Sequence, residues 1–138
     1  MPLSSDQDIA ALLKNAKTIA MVGASDRPDR PSYGVMRFLL SKGYKVVPVN
    51  PPLAGQTIQG QTVRATLAEI DEPIDIVDIF RNSEAAGAVI DEAIAAGAGA
   101  VWTQLGVFND EGVARAEAAG LKAVVNHCPA IEIPRLGL

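Results

Sequence analysis

Only one cysteine, Cys128, occurs among the 138 residues. The chain therefore forms no internal disulfide and cannot assemble a thiolate zinc site. Histidine is equally scarce: His127 stands alone, which excludes a multi-histidine centre, and no metal is expected. Basic residues are outnumbered, with 12 Lys and Arg against 16 Asp and Glu for a net charge of −4. A surface of that sign is poorly suited to a nucleic-acid backbone, so no nucleic-acid partner is expected. No apolar run approaches the roughly 20 residues of a membrane span. Met1–Lys17 lacks the basic start and unbroken apolar stretch of a signal peptide. Repeats and linkers are absent too. These deficits together lead to the expectation of a cytoplasmic protein that engages no membrane, with any protein partner undefined.

What is present is a globular composition, 49% apolar and 20% charged, in a length that fits one domain over residues 1–138. Five apolar runs read as strands: Lys17–Gly23, Tyr44–Val49, Ile74–Phe80, Gly99–Gln104 and Leu121–Val125. Helical patterns separate them at Tyr33–Lys42, which stops at Gly43, at Glu84–Ala96 after the N-cap candidate Ser83, and at Glu111–Ala119 opened by Asp110. Thr66 caps a short helix over Leu67–Ile70, and Leu53–Val63 reads as a loop with an extended piece near Thr57–Gln59. Pro129 and Pro134 argue against one continuous helix over the tail Cys128–Leu138. Nearly all-apolar strands alternating with helices predict an α/β fold: a Rossmann-like, doubly wound parallel sheet of about five strands, order 3-2-1-4-5, with helices on both faces.

In such a sheet ligands gather outside the carboxyl ends of the strands. The longest loop there is GASDRPDRPSYG. Gly23, Ala24 and Ser25 are small enough for backbone N–H groups to approach an anion, Ser32 is placed to cap the next helix, and that helix start is a positive dipole end suited to phosphate. Arg27 and Arg30 add cations. The spacing from Gly23 to Gly34 is neither G-x-G-x-x-G nor a Walker loop. Asn50-Pro51-Pro52 follows the second strand where dinucleotide enzymes carry an acid, which weakens a nicotinamide reading; the prolines either wall an adenine or simply end the strand. Phe80 and Arg81 stand at the end of the third strand. Trp102 is either a core indole or part of the site edge, with Gln104 two residues on and on the same face.

Catalytic patterns are thin. Asp75 and Asp78, three apart in a strand, face opposite sides. His127-Cys128 pairs a nucleophile type with a base, but adjacent residues in extended chain diverge, so a buried, structural cysteine is expected and no catalysis of its own.

Taken in order, KTIAMVGASDRPDRPSYGVMRFL, GYKVVPVNP, EPIDIVDIFR, AVWTQLGV and CPAIEIPRL make the chain resemble the small stand-alone CoA-binding proteins. Their domain is similar to the N-terminal CoA-binding domain of the succinyl-CoA synthetase alpha subunit. The resemblance runs from about Leu12 to Leu136. It implies coenzyme A or an acyl-CoA as ligand, a small-molecule nucleotide held by a phosphate-binding loop after the first strand. Gly23, Ala24 and Ser25 would cradle phosphates, with Ser32, Tyr33 and Gly34 completing the loop. Asn50 and Pro51 would border the adenosine, Phe80 and Arg81 the opposite wall, and Trp102 and Gln104 the pantetheine path. Arg27 or Arg30 is assigned on charge alone to the 3′-phosphate. The chain departs from the family at Asn126-His127, where an acidic residue and an arginine would precede the cysteine. Alternatives are an NAD(P)-dependent oxidoreductase, or a regulatory or partner subunit of an acyl-CoA enzyme.

Overall fold

The computed structural model describes residues 1–138. Its centre is a parallel sheet of five strands: β1 (Thr18–Val22), β2 (Lys45–Val49), β5 (Ile76–Ile79), β6 (Ala100–Thr103) and β7 (Lys122–Val124). Between β2 and β5 the chain adds a small antiparallel hairpin, β3 (Thr57–Ile58) and β4 (Gln61–Thr62). Five helices complete it: α1 (Asp6–Asn15), α2 (Pro31–Ser41), α3 (Ser83–Ala95), α4 (Asp110–Ala118) and α5 (Pro129–Arg135).

The three central strands are buried along their whole length because helices cover both faces, which is why their sequences are runs of apolar residues and not alternations. On one face Ala20, Val22, Val77, Ile79 and Val101 pack with Val89, Ile90 and Ala93 of α3 and Val113 and Ala116 of α4. On the other, Ile19, Met21, Ile76, Trp102 and Val124 pack with Ile9 and Leu13 of α1, Met36 and Leu39 of α2 and Ile133 of α5. Helix α2 and the pair α3–α4 thus lie on opposite faces, as doubly wound sheets require.

The strand order is β2-β1-β5-β6-β7, a Rossmann-like arrangement with its reversal beside β1. The place outside β2, where the expected 3-2-1-4-5 order puts a third strand, is held by a single parallel bridge between Val49 and Arg64. Arg64 N–H donates to the Pro48 carbonyl there. The long run around Ile76–Ile79, counted third from sequence, therefore lies on the other side of β1 and takes the fourth place. Pro48 is tolerated because β2 is the last full strand on its side. At the opposite rim, Leu3 N–H donates to the Ala123 carbonyl of β7 at 2.7 Å.

Several local expectations shift by one residue. Asn82, not Ser83, caps α3, its side chain accepting from Ala85 N–H. Asn109, not Asp110, caps α4. Thr66 and Glu69 form a reciprocal capping box around the short turn Leu67–Glu69. The tail does carry a helix, α5, with Pro129 in its first turn and Pro134 near its end. It is only seven residues long, so Pro134 removes a single bond from the last turn. Helix α1 has no counterpart in the sequence reading; Ser5 caps it, and Arg135 of α5 grips Asp6 at 2.8 Å. No helix is long and apolar enough to cross a membrane.

Candidate functional site

The loop after β1 starts from a crowded glycine. Gly23 N–H donates to the Val49 carbonyl at 2.9 Å, and Phe80 N–H donates to the Val22 carbonyl at 2.8 Å. Gly23 is thereby wedged between the ends of β2 and β5, with φ +89 and no room for a Cβ, which would stand 2.2 Å from the Phe80 carbonyl oxygen. Only glycine accepts both conditions.

Beyond it the loop is pinned by short-range bonds. The Ala24 carbonyl accepts from Asn50 Nδ2 at 2.8 Å, Ser25 N–H donates to Ser32 Oγ at 3.2 Å, and Arg27 N–H donates to Ser25 Oγ at 3.1 Å. Ser32 is therefore not the helix cap expected of it. Arg30 holds that position with no side-chain bond, Pro31 follows, and the buried Ser32 hydroxyl ties helix to loop. The backbone N–H groups of Ala24 and Ser32 find no partner within the chain. An unspent donor at the start of the eleven-residue helix α2, with a second in the loop just after β1, is an arrangement that attracts anions. Arg27 and Arg30 remain in solvent, and Arg27 lies 3.6 Å from the exposed Asp29.

Two grooves flank the ends of β1 and β5. One, of about 380 Å³, is lined by Gly23, Asn50, Pro51, Pro52, Phe80 and Arg81, with Val22 and Val49 at its floor. The other, of about 410 Å³, is mainly apolar and lined by Pro31, Val35, Leu105 and Val107, together with Gln104, Cys128, Phe80 and Arg81. Phe80 and Arg81 belong to both, so the grooves meet at those two side chains.

Beneath the second groove lies a buried acid. Asp78 in β5 is completely inaccessible. Its Oδ1 accepts from Gln104 Nε2 at 2.7 Å, and its Oδ2 is sealed without a partner. Burial pushes its carboxyl up to about 7, partly offset by the Gln104 bond. Cys128 is also buried, and desolvation pushes its thiol above the ordinary range, with a contribution from the charge of Asp78. A thiol so protected is a poor nucleophile at neutral pH. Alkylation of Cys128 by iodoacetamide at pH 7.5 should accordingly be slower than that of free cysteine and accelerate in urea; equal rates in the native protein and in urea would contradict this burial.

The residue pattern of the family described as CoA binding domain matches residues 17–134. This chain belongs to that family. The YneT protein of Bacillus subtilis is 37% identical over 124 residues, 90% of each chain. A solved structure from Pyrococcus horikoshii OT3 is 36% identical, covers 100% of this chain and 97% of its own, and superposes with a TM-score of 0.93. An acetyl-coenzyme A synthetase of Ca. Korarchaeum cryptofilum, solved with phosphate and ADP, is 28% identical over 80% of this chain with a TM-score of 0.68. The match spans only 26% of that enzyme, so the similar fold makes up a fraction of a larger chain there.

Arg27 and Arg30 stay in solvent, and the other residues singled out from sequence divide into three groups. Gly23, Asn50, Pro51, Phe80, Arg81 and Gln104 line the grooves. Ala24, Ser25, Ser32, Tyr33 and Gly34 shape the loop and helix start beside them, Tyr33 through a carbonyl that accepts from Gln59 Nε2. Trp102 does not reach either groove: it is fully buried among α1, α2 and α5, and its Nε1 donates to the His127 carbonyl at 2.8 Å. Its place is the core, not a pantetheine path. The sequence reading missed Pro31, Val35, Leu105, Val107 and Cys128 as groove residues. It also treated Asp78 only as half of a failed pair with Asp75. That geometry does fail, since Asp75 accepts from the N–H groups of Lys17 and Thr18 at the far end of the strand.

Proposed function

We propose that this chain binds coenzyme A, free or acylated, across the two grooves, and performs no reaction on it. The observation that carries this reading is the meeting of a polar groove and an apolar groove at Phe80 and Arg81. Coenzyme A has the same division: a charged nucleotide end and a long pantetheine arm joined through a pyrophosphate. The adenosine lies by Asn50 and the prolines, the phosphates meet the N–H groups of Ala24 and Ser32 with the Arg81 guanidinium, and the arm follows the apolar groove. The 3′-phosphate is met by Arg81, or by Arg27 or Arg30 reaching in from solvent.

Absence of catalysis is proposed from the protected Cys128 thiol and from the lack of any second nucleophile beside it. The place of action proposed is the cytoplasm, where a lone cysteine stays reduced. The match to a quarter of a synthetase chain favours one further reading, in which the domain serves as a partner subunit of an acyl-CoA enzyme made from another chain. A nicotinamide role draws no support from Asn50-Pro51-Pro52.

Calorimetric titration should give a measurable affinity for coenzyme A and none for NAD. Arg81→Ala should weaken coenzyme A by about tenfold, the value of one charge-assisted bond. Dephospho-coenzyme A should bind more weakly than coenzyme A, most clearly at low salt. Binding of NAD in preference to coenzyme A would sink the reading. So would incubation with acetyl-coenzyme A that left a stoichiometric acetyl group on the protein by mass spectrometry, as far as the lack of chemistry is concerned.

A further inference from the structure

We infer that Asp78 is a positioning residue: by holding Gln104 Nε2 it turns the Gln104 carbonyl oxygen into the apolar groove, where it accepts a bond from an amide N–H of the pantetheine arm. This rests on the coenzyme A reading and assigns the polar contact that selects the arm.

A primary amide has a donor end and an acceptor end. The donor end of Gln104 is committed to Asp78 Oδ1 at 2.7 Å. The acceptor end, Oε1, receives no hydrogen bond from within the chain, yet it is not among the sealed, unpartnered side-chain atoms, which are Arg64 Nε and Asp78 Oδ2. Gln104 Oε1 therefore keeps contact with the groove that its residue lines. The other side chains lining that groove are apolar apart from Arg81 and Cys128. Both of those are donors, so Gln104 Oε1 is the side-chain acceptor an entering N–H meets. A ligand that fits must carry an apolar body with a donor along it. An alkyl chain lacks the donor, and a nucleotide base cannot follow an apolar channel.

A buried, half-satisfied carboxylate is costly, and a neutral side chain of the same size would spare that cost. What the acid supplies is a fixed direction for the Gln104 amide. When Asp78 is ionised its bond to Nε2 is charge-assisted, and polarisation along the amide makes Oε1 a stronger acceptor. Among the elements against this face, β1 presents Met21, β6 Trp102 and α2 Met36, none of which titrates. At the start of α5, Cys128 feels the charge of Asp78. Glu132 is held by Arg135 at 2.6 Å, with His127 3.8 Å away.

Two measurements on the full chain test this. In the free protein, side-chain amide signals of Gln104 followed by NMR should move with the Asp78 carboxyl carbon in one titration well above the ordinary aspartate range, and Asp78→Leu should abolish the movement. A Gln104 amide that ignores Asp78 overturns the positioning whatever the ligand result. Calorimetry then compares coenzyme A with 3′,5′-ADP, which lacks the arm. Asp78→Leu and Gln104→Met should each weaken coenzyme A about tenfold and leave 3′,5′-ADP unchanged. In the wild-type protein the ratio of the two affinities should fall severalfold as Asp78 is protonated. Equal losses for both ligands, or an unchanged ratio across that pH range, would show a structural role only and overturn the inference. Wild-type protein that binds neither ligand removes the coenzyme A reading itself, while the NMR titration still decides whether Asp78 directs Gln104.

Discussion

Gly23→Ala is expected to be the most damaging single-methyl change in the chain. The added carbon would stand 2.2 Å from the Phe80 carbonyl oxygen and 2.9 Å from its carbon. Both are backbone atoms of the residue that follows β5 and donates to the Val22 carbonyl, so relief requires β1 and β5 to separate at their carboxyl ends. The φ of +89 adds the cost of left-handed backbone for a residue with a Cβ. Together these should remove at least ~3 kcal/mol, a large share of a typical domain's stability. Gly34→Ala is the contrast: its Cβ meets nothing within 4 Å, and in helix α2 alanine should add up to ~1 kcal/mol. Urea unfolding of the two variants side by side checks this. A Gly23→Ala protein as stable as the wild type would mean that the close approach of Gly23 to Phe80 is not real.

The second large effect is a loss of stability with rising pH. Asp78 is pushed up to about 7 in the folded chain, against 3.8 ordinarily, by burial above all. Once pH passes the ordinary value, the unfolded chain gives up its proton while the folded chain still holds it. The sign follows: the contribution of Asp78 is greatest in acid, declines as pH rises between those two values, and levels off above the folded one. At somewhat over 1 kcal/mol per unit of difference, this amounts to a loss of roughly 2 to 3 kcal/mol between pH 5 and pH 8. Asp78→Asn removes the titration without changing size. Unfolding free energies of wild type and Asp78→Asn at both pH values isolate the term, since every other group cancels in the comparison. Parallel slopes for the two proteins would contradict a buried acid at this position.

What the sequence made legible depended on how local the cause was. The strands were readable because burial on both faces writes itself as an unbroken apolar run, and Gly43 because it ends a helix with φ +93. Helix α1 escaped because it fully buries only Ile9 and Leu13 among ten residues, half of them polar; Ser5 followed by Asp6 and Asp8 was the available signal. The helix caps slipped by a residue because Asn82 and Ser83 are both competent, and Ser83 was drawn instead to Phe108 N–H at 2.9 Å.

The site divides in the same way. The edge formed by Gly23, Asn50, Phe80 and Arg81 follows from where strands end, so it could be placed without coordinates. The apolar groove could not, because it needs α2, the loop after β6 and the start of α5 at once. Trp102 could not be decided between core and site edge because its partner, the His127 carbonyl, lies 25 residues away, and nothing near it in sequence says which face is covered more deeply. Asp78 and Gln104 are 26 residues apart and meet only because β5 and β6 are neighbours in register.

The sheet is guarded at both rims: the Arg64 bridge runs along β2, and Leu3 donates to Ala123 along β7. Exposed rims are templates on which a second molecule can add its own strand. Here Leu3, three residues ahead of the ten-residue helix α1, acts as a bolt on one rim, and a proline-bearing strand with a partial partner blunts the other. Protection of the sheet rims against strand addition by a second molecule is thus written into Leu3, Pro48 and Arg64, none of which lines the two grooves. Engineering at the N-terminus, whether by trimming or by fusing a tag, acts on that bolt before it acts on anything else.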